Sequence, residues 1–236
     1  MTEIGLPRLP EGFSRTCESM HRLAEGVVKV AREHATGEFS LIRTPGGFGT
    51  PTFGGECQVR VEATELVVRE HGEERRGPIT TLRAAAELVG PRLLPGDLDV
   101  DEKPLDVDPA AAKGLAASYA LGEAVLERLI ENAGDGDEPT QPTLWPEHFD
   151  IAIEVGPEAD GLRVNYGVSP GDEHHPEPYF YVGPWSAPPS GELWNGTGFA
   201  GAELSYAELA AAEDPIATAV DFALECKRSI EETKGR

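Results

Sequence analysis

The sequence predicts an α+β protein built mainly from antiparallel sheet, with long helices packed on one side. Apolar residues recur every three to four positions over residues 14–34, 108–132 and 215–230, which is typical of amphipathic helices. Apolar and polar residues alternate over 57–62, as in a half-buried strand. Glycine and proline separate the remaining short apolar runs, so we expect strands joined by turns rather than by crossover helices.

The N-terminal half begins with an amphipathic helix and continues into strands. Its predicted elements, in order, are a helix over 14–34 closed by Gly37, a short strand over 39–44, a glycine-rich hairpin loop over 46–55, strands over 57–62 and 66–70, and a helix over 81–88 capped by Thr80 or Thr81.

The C-terminal half repeats this order of helix, strands and closing helix. After a connector over 91–108, its predicted elements are a helix from Asp108-Pro109 to Asn132, a linker over 134–142, strands at about 149–155, 162–168, 178–183 and 199–204, a short helix opened by the Ser205/Glu208 capping box, and a last helix from Asp214-Pro215. The matching order predicts two related halves, 1–107 and 108–236, although no residue repeat aligns them. They are also compatible with one compact domain.

Composition restricts the classes of function. The chain has 42 acidic and 20 basic residues, a net charge of −22, which disfavours binding to nucleic acid or to anionic membrane. No stretch is apolar enough to span a membrane, and the N-terminus lacks the pattern of a secretory signal. The three cysteines form no C-x-x-C pair, and two lie on apolar helix faces. We therefore expect a cytoplasmic protein with packed, free thiols.

Two local patterns resemble ligand sites but lack essential residues. The glycine-rich segment 46–55 has no G-K-[ST] and precedes a strand, so a phosphate loop is disfavoured. Asp97, Asp99 and Asp101 have the spacing of calcium-loop ligands, but Glu102 stands where such a loop needs glycine. Their alternation with Leu98 and Val100 instead indicates an exposed edge strand.

One region brings together residue types that perform chemistry. The turn at 156–161 pairs 150–155 with 162–168, so Asp150 is expected opposite about Gly167, with the third strand starting at the same end. His148, Asp150, Asp172 and His174 are the candidate catalytic residues and the candidate ligands of a divalent metal, the one cofactor considered. The candidate ligand-binding residues are Trp145, Ser169, Glu177, Tyr179 and Tyr181. The alternative is an ordinary connecting loop of an acidic protein.

The motifs of this region resemble those of a family of uncharacterised bacterial proteins, a domain of unknown function. The matching segments are Trp145–Asp150 (WPEHFD), Gly167–Gly171 (GVSPG) and Tyr179–Pro184 (YFYVGP), followed by Leu204–Tyr206 and Asp214-Pro215. The N-terminal half matches more loosely, and the glycine-rich segment and His174-His175 depart from the family pattern. The resemblance implies a shared fold and brings no activity with it.

Two functions follow from these observations. The leading hypothesis is a polar, aromatic-walled cleft for a small molecule, in an enzyme that uses a metal or acid–base chemistry. In it, His148 or His174 is metal ligand or general base, Asp150 and Asp172 orient or ligate, and Trp145 and Tyr179 position substrate. The alternative is a non-catalytic acidic protein that binds a basic protein partner. The sequence identifies neither a substrate nor an oligomeric state.

Overall fold

The computed structural model describes residues 5–235 and has the predicted α+β architecture with antiparallel sheets. The chain divides into two compact units. The N-terminal unit comprises Arg8–Ala116 and Thr143–Phe149, and the C-terminal unit comprises, among the described residues, 5–7, 117–142 and 150–235. Within the described residues, no helix has the length and apolar character that a membrane span requires.

The N-terminal unit contains a five-stranded antiparallel sheet in the order β1-β2-β3-β4-β5. Its elements are α1 (Phe13–Leu23), a π-helical turn (Ala24–Val28), α2 (Lys29–Thr36), β1 (Ile42–Thr44), β2 (Gly47–Gly49), β3 (Gln58–Glu62), β4 (Glu65–Glu70), β5 (Glu73–Pro78), α3 (Leu82–Val89), the first part of α4 (Pro109–Glu131) and β6 (Thr143–Trp145). The first helix therefore forms as predicted but contains a wide turn. Thr81 and Asp108 cap α3 and α4 through the amides of Ala84 and Ala111.

Tertiary contacts overturn two expectations in this unit. The glycine-rich segment is not a loop throughout, because Gly47–Gly49 forms β2 and pairs with β1 and β3. A Cβ atom at Gly49 would lie 2.5 Å from the Cβ of Arg60, so glycine permits this close approach while Phe48 is fully buried. The edge strand expected at Asp97–Asp101 is also wrong, since these residues form turns and irregular backbone.

The sequence analysis missed β5, whose residues are mostly charged. Ion pairs join this edge strand to β3 and β4: Arg60 of β3 lies 2.9 Å from Glu74, and Arg76 lies 3.2 Å from Glu65 of β4. Hydrophobic periodicity does not detect such a strand, because its half-buried positions are Arg75, which donates to the carbonyl of Leu88 on α3, and Gly77, which lies next to the Leu88 side chain.

The C-terminal unit contains β7–β10 in an antiparallel sheet with the order β10-β9-β8-β7. Its elements are the remainder of α4, β7 (Asp150–Val155), β8 (Val164–Ser169), β9 (Tyr179–Pro184), β10 (Ala202–Ser205), α5 (Tyr206–Ala211) and α6 (Pro215–Thr233), with a 3-10 turn at Glu158–Asp160. The predicted caps are confirmed: Ser205 and Glu208 form a capping box, and Asp214 accepts a hydrogen bond from the amide of Ala217 at 3.0 Å.

Both long helices of this unit pack on one face of the sheet, as predicted. Ile151, Val168 and Phe180 are register partners and therefore share that face. A Cβ atom at Gly122 of α4 would lie 2.8 Å from the Cγ2 of Ile151, and the ring of Phe222 in α6 lies 6.4 Å from that of Phe180. The opposite face carries polar and aromatic side chains and is called the polar face below.

Candidate functional site

Tyr181 crosses β8 on the polar face and reaches a buried carboxylate. Its hydroxyl donates to Asp150, whose exposed fraction is 7%. Gly167 makes this path possible, because a Cβ atom there would lie only 2.6 Å from the Tyr181 hydroxyl. Burial, and then the charge of Asp150, raises the pKa of Tyr181 well above its ordinary value. The phenol therefore stays protonated and acts as a hydrogen-bond donor.

The sequence predicts Asp150 opposite about Gly167, and this expectation is wrong. Ala152 pairs with Gly167 and Ile151 with Val168, which displaces the expected register by two residues. The reason is that Arg163 belongs to the turn, where its guanidinium donates to the carbonyl of Gly156 and pairs with Glu154 at 2.9 Å. Ser169 pairs with Tyr179, so the third strand of this sheet starts at the end at which the second strand stops.

A second phenol–carboxylate pair leads to a histidine between two carboxylates. Tyr179 donates to the Oδ2 of Asp172 at 2.7 Å, and the other oxygen of Asp172 lies 3.1 Å from the Nδ1 of His175. The Nε2 of His175 lies 3.0 Å from the Oε1 of Glu203 on β10. The two rings His175 and Tyr179 are 4.2 Å apart. This network attaches the 170–178 loop to the sheet.

The geometry around His175 favours the imidazolium form. Burial works against its charge, but hydrogen bonds to Asp172 and Glu203 outweigh burial and raise the pKa of His175 above its ordinary value. Burial likewise opposes ionisation of Asp172, yet hydrogen bonds from Tyr179 and from the 174 and 175 positions lower the pKa of this carboxyl. With a carboxylate on each nitrogen, His175 serves as a double donor rather than as a free base.

The structure positions the two predicted residues at the loop differently. Asp172 is in the network, whereas the His174 side chain is half exposed, packs on Gly198 and lies 3.5 Å from Glu173. Only the backbone amide of His174 contacts Asp172, at 2.7 Å. Glu177 is exposed, and the hydroxyl of Ser169 accepts a hydrogen bond from the amide of Gly171. The predicted site residues of this unit therefore converge only in part.

Sequence reasoning missed His175, Glu203 and Phe199. Phe199 lies 6.2 Å from Tyr179 and 6.1 Å from Tyr181, which completes an aromatic cluster on the polar face. Glu203 alternates with buried Ala202 on a strand, which could have indicated that its side chain is on the face opposite the helices. No local signal distinguishes His175 from His174.

The remaining predicted residues, Trp145 and His148, belong to the N-terminal unit. His148 is exposed on the turn after β6, while the adjacent Phe149 is buried with a positive φ of 56°. The ring of Phe149 stacks on that of His21 at 5.1 Å, and the Nε2 of His21 lies 2.7 Å from the carbonyl of Pro146. This turn is thus attached to the N-terminal unit by Phe149, not by His148.

Metal ligation finds no support in the side-chain arrangement. Among residues 5–235, no group of three or more histidine, cysteine, aspartate or glutamate side chains is arranged to hold a metal ion. The three cysteines are buried, free thiols. Burial, and then Glu18, raises the pKa of Cys17 to about 12, and burial, and then Glu225, raises the pKa of Cys226 to about 12.

The N-terminal unit presents an open groove of about 360 Å³ between α3 and the 90–100 segment. Ala86, Leu94, Leu98 and Val100 contribute apolar surface, and Arg83 and Glu87 line it from α3. Sequence reasoning did not find this groove, because the alternation at 97–101 predicts an edge strand, whereas the segment is irregular and its packing beside α3 depends on tertiary contacts.

Comparison with known proteins gives no match: no protein-family model, no curated protein and no solved structure is similar to this chain. The resemblance to the family of uncharacterised bacterial proteins therefore stays a prediction. Any assignment of function rests on the geometry described above.

Proposed function

We propose that the protein is a non-catalytic interaction protein that binds a basic protein partner through its acidic surface. The observation that carries this proposal is that most of the protein's basic side chains are already paired with its own carboxylates. More than half of the 20 basic side chains lie in ion pairs within the chain. The net charge of −22 therefore resides on carboxylates outside these pairs. The electrostatic field of these carboxylates attracts cationic partners.

The polar face supports this choice indirectly. Tyr179, Tyr181 and His175 each use their polar atoms on carboxylates of the same unit. Polar groups that satisfy one another's hydrogen bonds stabilise the fold. Catalysis by one of these three side chains would require it to leave its carboxylate partner.

The proposal is tested by proximity labelling in the producing cell, followed by reconstitution of each recovered protein with the purified chain. We expect a partner with net positive charge whose complex weakens about tenfold or more between 0.1 and 1 M salt, since the Debye length falls from about 10 to about 3 Å. His148→Ala should leave the affinity unchanged. Binding to neutral or acidic partners only, or binding that persists undiminished in 1 M salt, would overturn the proposal.

A second candidate function is small-molecule binding on the polar face, with or without metal-assisted chemistry. Two phenol–carboxylate pairs and the ring of Phe199 lie together there, and such mixtures of aromatic and charged groups also form ligand sites. In this alternative Asp150 and Asp172 orient the ligand, and Tyr179 and Tyr181 contact it.

This alternative is tested by elemental analysis of untagged, chelator-free protein beside an Asp150→Asn/His148→Ala double variant. About one equivalent of zinc, manganese or iron, lost in a folded double variant, would favour the metal-assisted enzyme. A metal-free protein whose melting temperature ignores added divalent ions and a panel of small molecules would count against the second candidate.

A further inference from the structure

We infer that the groove between α3 and the 90–100 segment docks a basic amphipathic segment of the partner protein. The inference rests on the proposed function and names the surface and the chemistry of the segment that it takes. It depends on three observations. The floor of the groove is apolar, the carboxylates on its rim have no counter-charge, and Arg83 holds its wall in place.

The floor of the groove is apolar and well packed. Leu94 and Val100 are buried, with exposed fractions of 4% and 6%, and they belong to the core beneath. Ala86 and Leu98 are half-buried and add small apolar surface at the opening. A docked side chain therefore meets an apolar surface supported by the core, as an anchor residue of a helix-in-groove complex does.

The rim carries carboxylates without counter-charges. Glu87 lines the groove, and exposed Asp97 and Asp99 alternate with its lining residues. In the described chain, none of these three carboxylates lies in an ion pair or accepts a hydrogen bond. Lysine or arginine side chains next to an apolar anchor would supply the missing counter-charges.

The wall of the groove is held in place by Arg83, which lines it from α3. Arg83 donates to the carbonyl of Val100 at 3.0 Å and pairs with Glu102 at 3.3 Å. Its charge is therefore already neutralised and does not repel a basic ligand. The hydrogen bond to the Val100 carbonyl also holds this part of the wall in place before the ligand arrives, which lowers the entropy cost of binding.

These features of the groove favour one kind of ligand. A second copy of this chain carries the same charge of −22 and is repelled, as is a nucleic acid. A neutral apolar ligand would leave the rim carboxylates next to newly buried surface without counter-charges. A segment with apolar residues on one side and lysine or arginine on the other satisfies both the floor and the rim.

The test uses the full chain and labelled 14-residue peptides of leucine and lysine, followed by fluorescence anisotropy. One peptide places its leucines on one helical face, a second has the same composition with leucines scattered, and a third replaces lysine by glutamate. We expect the amphipathic basic peptide to bind, the scattered peptide to bind about tenfold more weakly, and the acidic peptide not to bind.

Variants locate the binding surface. Ala86→Gln fills the groove with a good helix former, and Leu98→Ala removes an apolar wall without adding bulk; each should weaken the amphipathic peptide about tenfold. Asp97→Asn/Asp99→Asn should weaken it about fivefold and flatten its salt dependence. The matched control Glu158→Gln/Glu213→Gln removes two exposed charges in the other unit and should change the affinity by less than about twofold.

The outcomes separate this inference from the proposed function. Equal binding of the amphipathic and scattered peptides, or full affinity in folded Ala86→Gln and Leu98→Ala proteins, would overturn the groove while leaving an acidic binding protein. Failure of both basic peptides to bind overturns the groove, whereas the proposed function falls only if reconstitution also yields no basic partner.

Discussion

Gly167 should be among the least replaceable residues of the polar face, and Gly167→Ala tests this directly. The methyl group would lie 2.6 Å from the Tyr181 hydroxyl and 2.8 Å from the carbonyl oxygen of Ile151. The carbonyl belongs to the neighbouring strand and cannot retreat, so the phenol must move and leave Asp150. Overpacking costs about 1–3 kcal/mol, and loss of a hydrogen bond to a buried charge adds about 1.5–3 kcal/mol. We expect a total of about 3–5 kcal/mol.

The measurement is the free energy of unfolding in urea, followed by far-UV circular dichroism. Gly183→Ala is the matched control, since this glycine is on the same face and the nearest atoms to its added Cβ are 4.0 Å away. It should change the free energy of unfolding by less than about 0.5 kcal/mol. Tyr181→Phe should cost about 1.5–3 kcal/mol, and the Gly167→Ala/Tyr181→Phe double variant should cost less than the sum of the two. A near-neutral Gly167→Ala, or strictly additive costs, would refute this account.

Three further predictions concern charge, thiols and capping. Burial opposes ionisation of Asp137, but Lys227 at 2.6 Å and the amide of Gly134 together outweigh burial and lower the pKa of this carboxyl. A carboxyl whose pKa is lowered in the folded protein contributes stability above about pH 4, and this contribution is lost as pH falls through the folded-state pKa. Asp137→Asn should therefore lower the free energy of unfolding by about 1 kcal/mol at pH 6. This difference from the unsubstituted protein should vanish near pH 2 in urea titrations. Because burial raises the pKa values of Cys17 and Cys226 to about 12, Ellman's reagent at pH 8 should label neither of these two thiols in native protein and both of them in urea; fast native labelling of either one would contradict its burial. Asp214→Ala should lower the free energy of unfolding by about 1 kcal/mol and Asp214→Asn by much less, and equal losses would remove the capping explanation.

The fold class and most elements could be predicted because their signals are local. Asp214-Pro215 and Ser205 begin helices through bonds to amides within the next turn, so a few residues suffice to specify them. Three strands, β2, β5 and β6, are exceptions that depend on distant neighbours, as Leu144 of β6 does on Leu41. β2 is Gly47-Phe48-Gly49, whose two glycines fit against β3, and β5 is held by cross-strand ion pairs instead of a buried face.

The candidate site could be predicted only in its location. Ser169 and Tyr179 end up together because strand pairing follows from the hairpin pattern. The partnership of His175 with Glu203 spans 28 residues and depends on how β10 pairs with β9, which no local pattern specifies. For the same reason, His174 is a reasonable candidate from the sequence, yet it is His175 whose ring contacts Asp172 and Glu203.

The division of the N-terminal unit between Arg8–Ala116 and Thr143–Phe149 has a consequence for synthesis on the ribosome. His21 emerges early, but the carbonyl that it contacts belongs to Pro146, 125 residues later. Until then Phe48 and His21 lack the ring of Phe149 between them. The first unit to emerge therefore cannot complete its packing co-translationally before α4 and the 134–142 linker have been made, and nascent chains stopped at residue 116 should be far more protease-sensitive than those extended past 149.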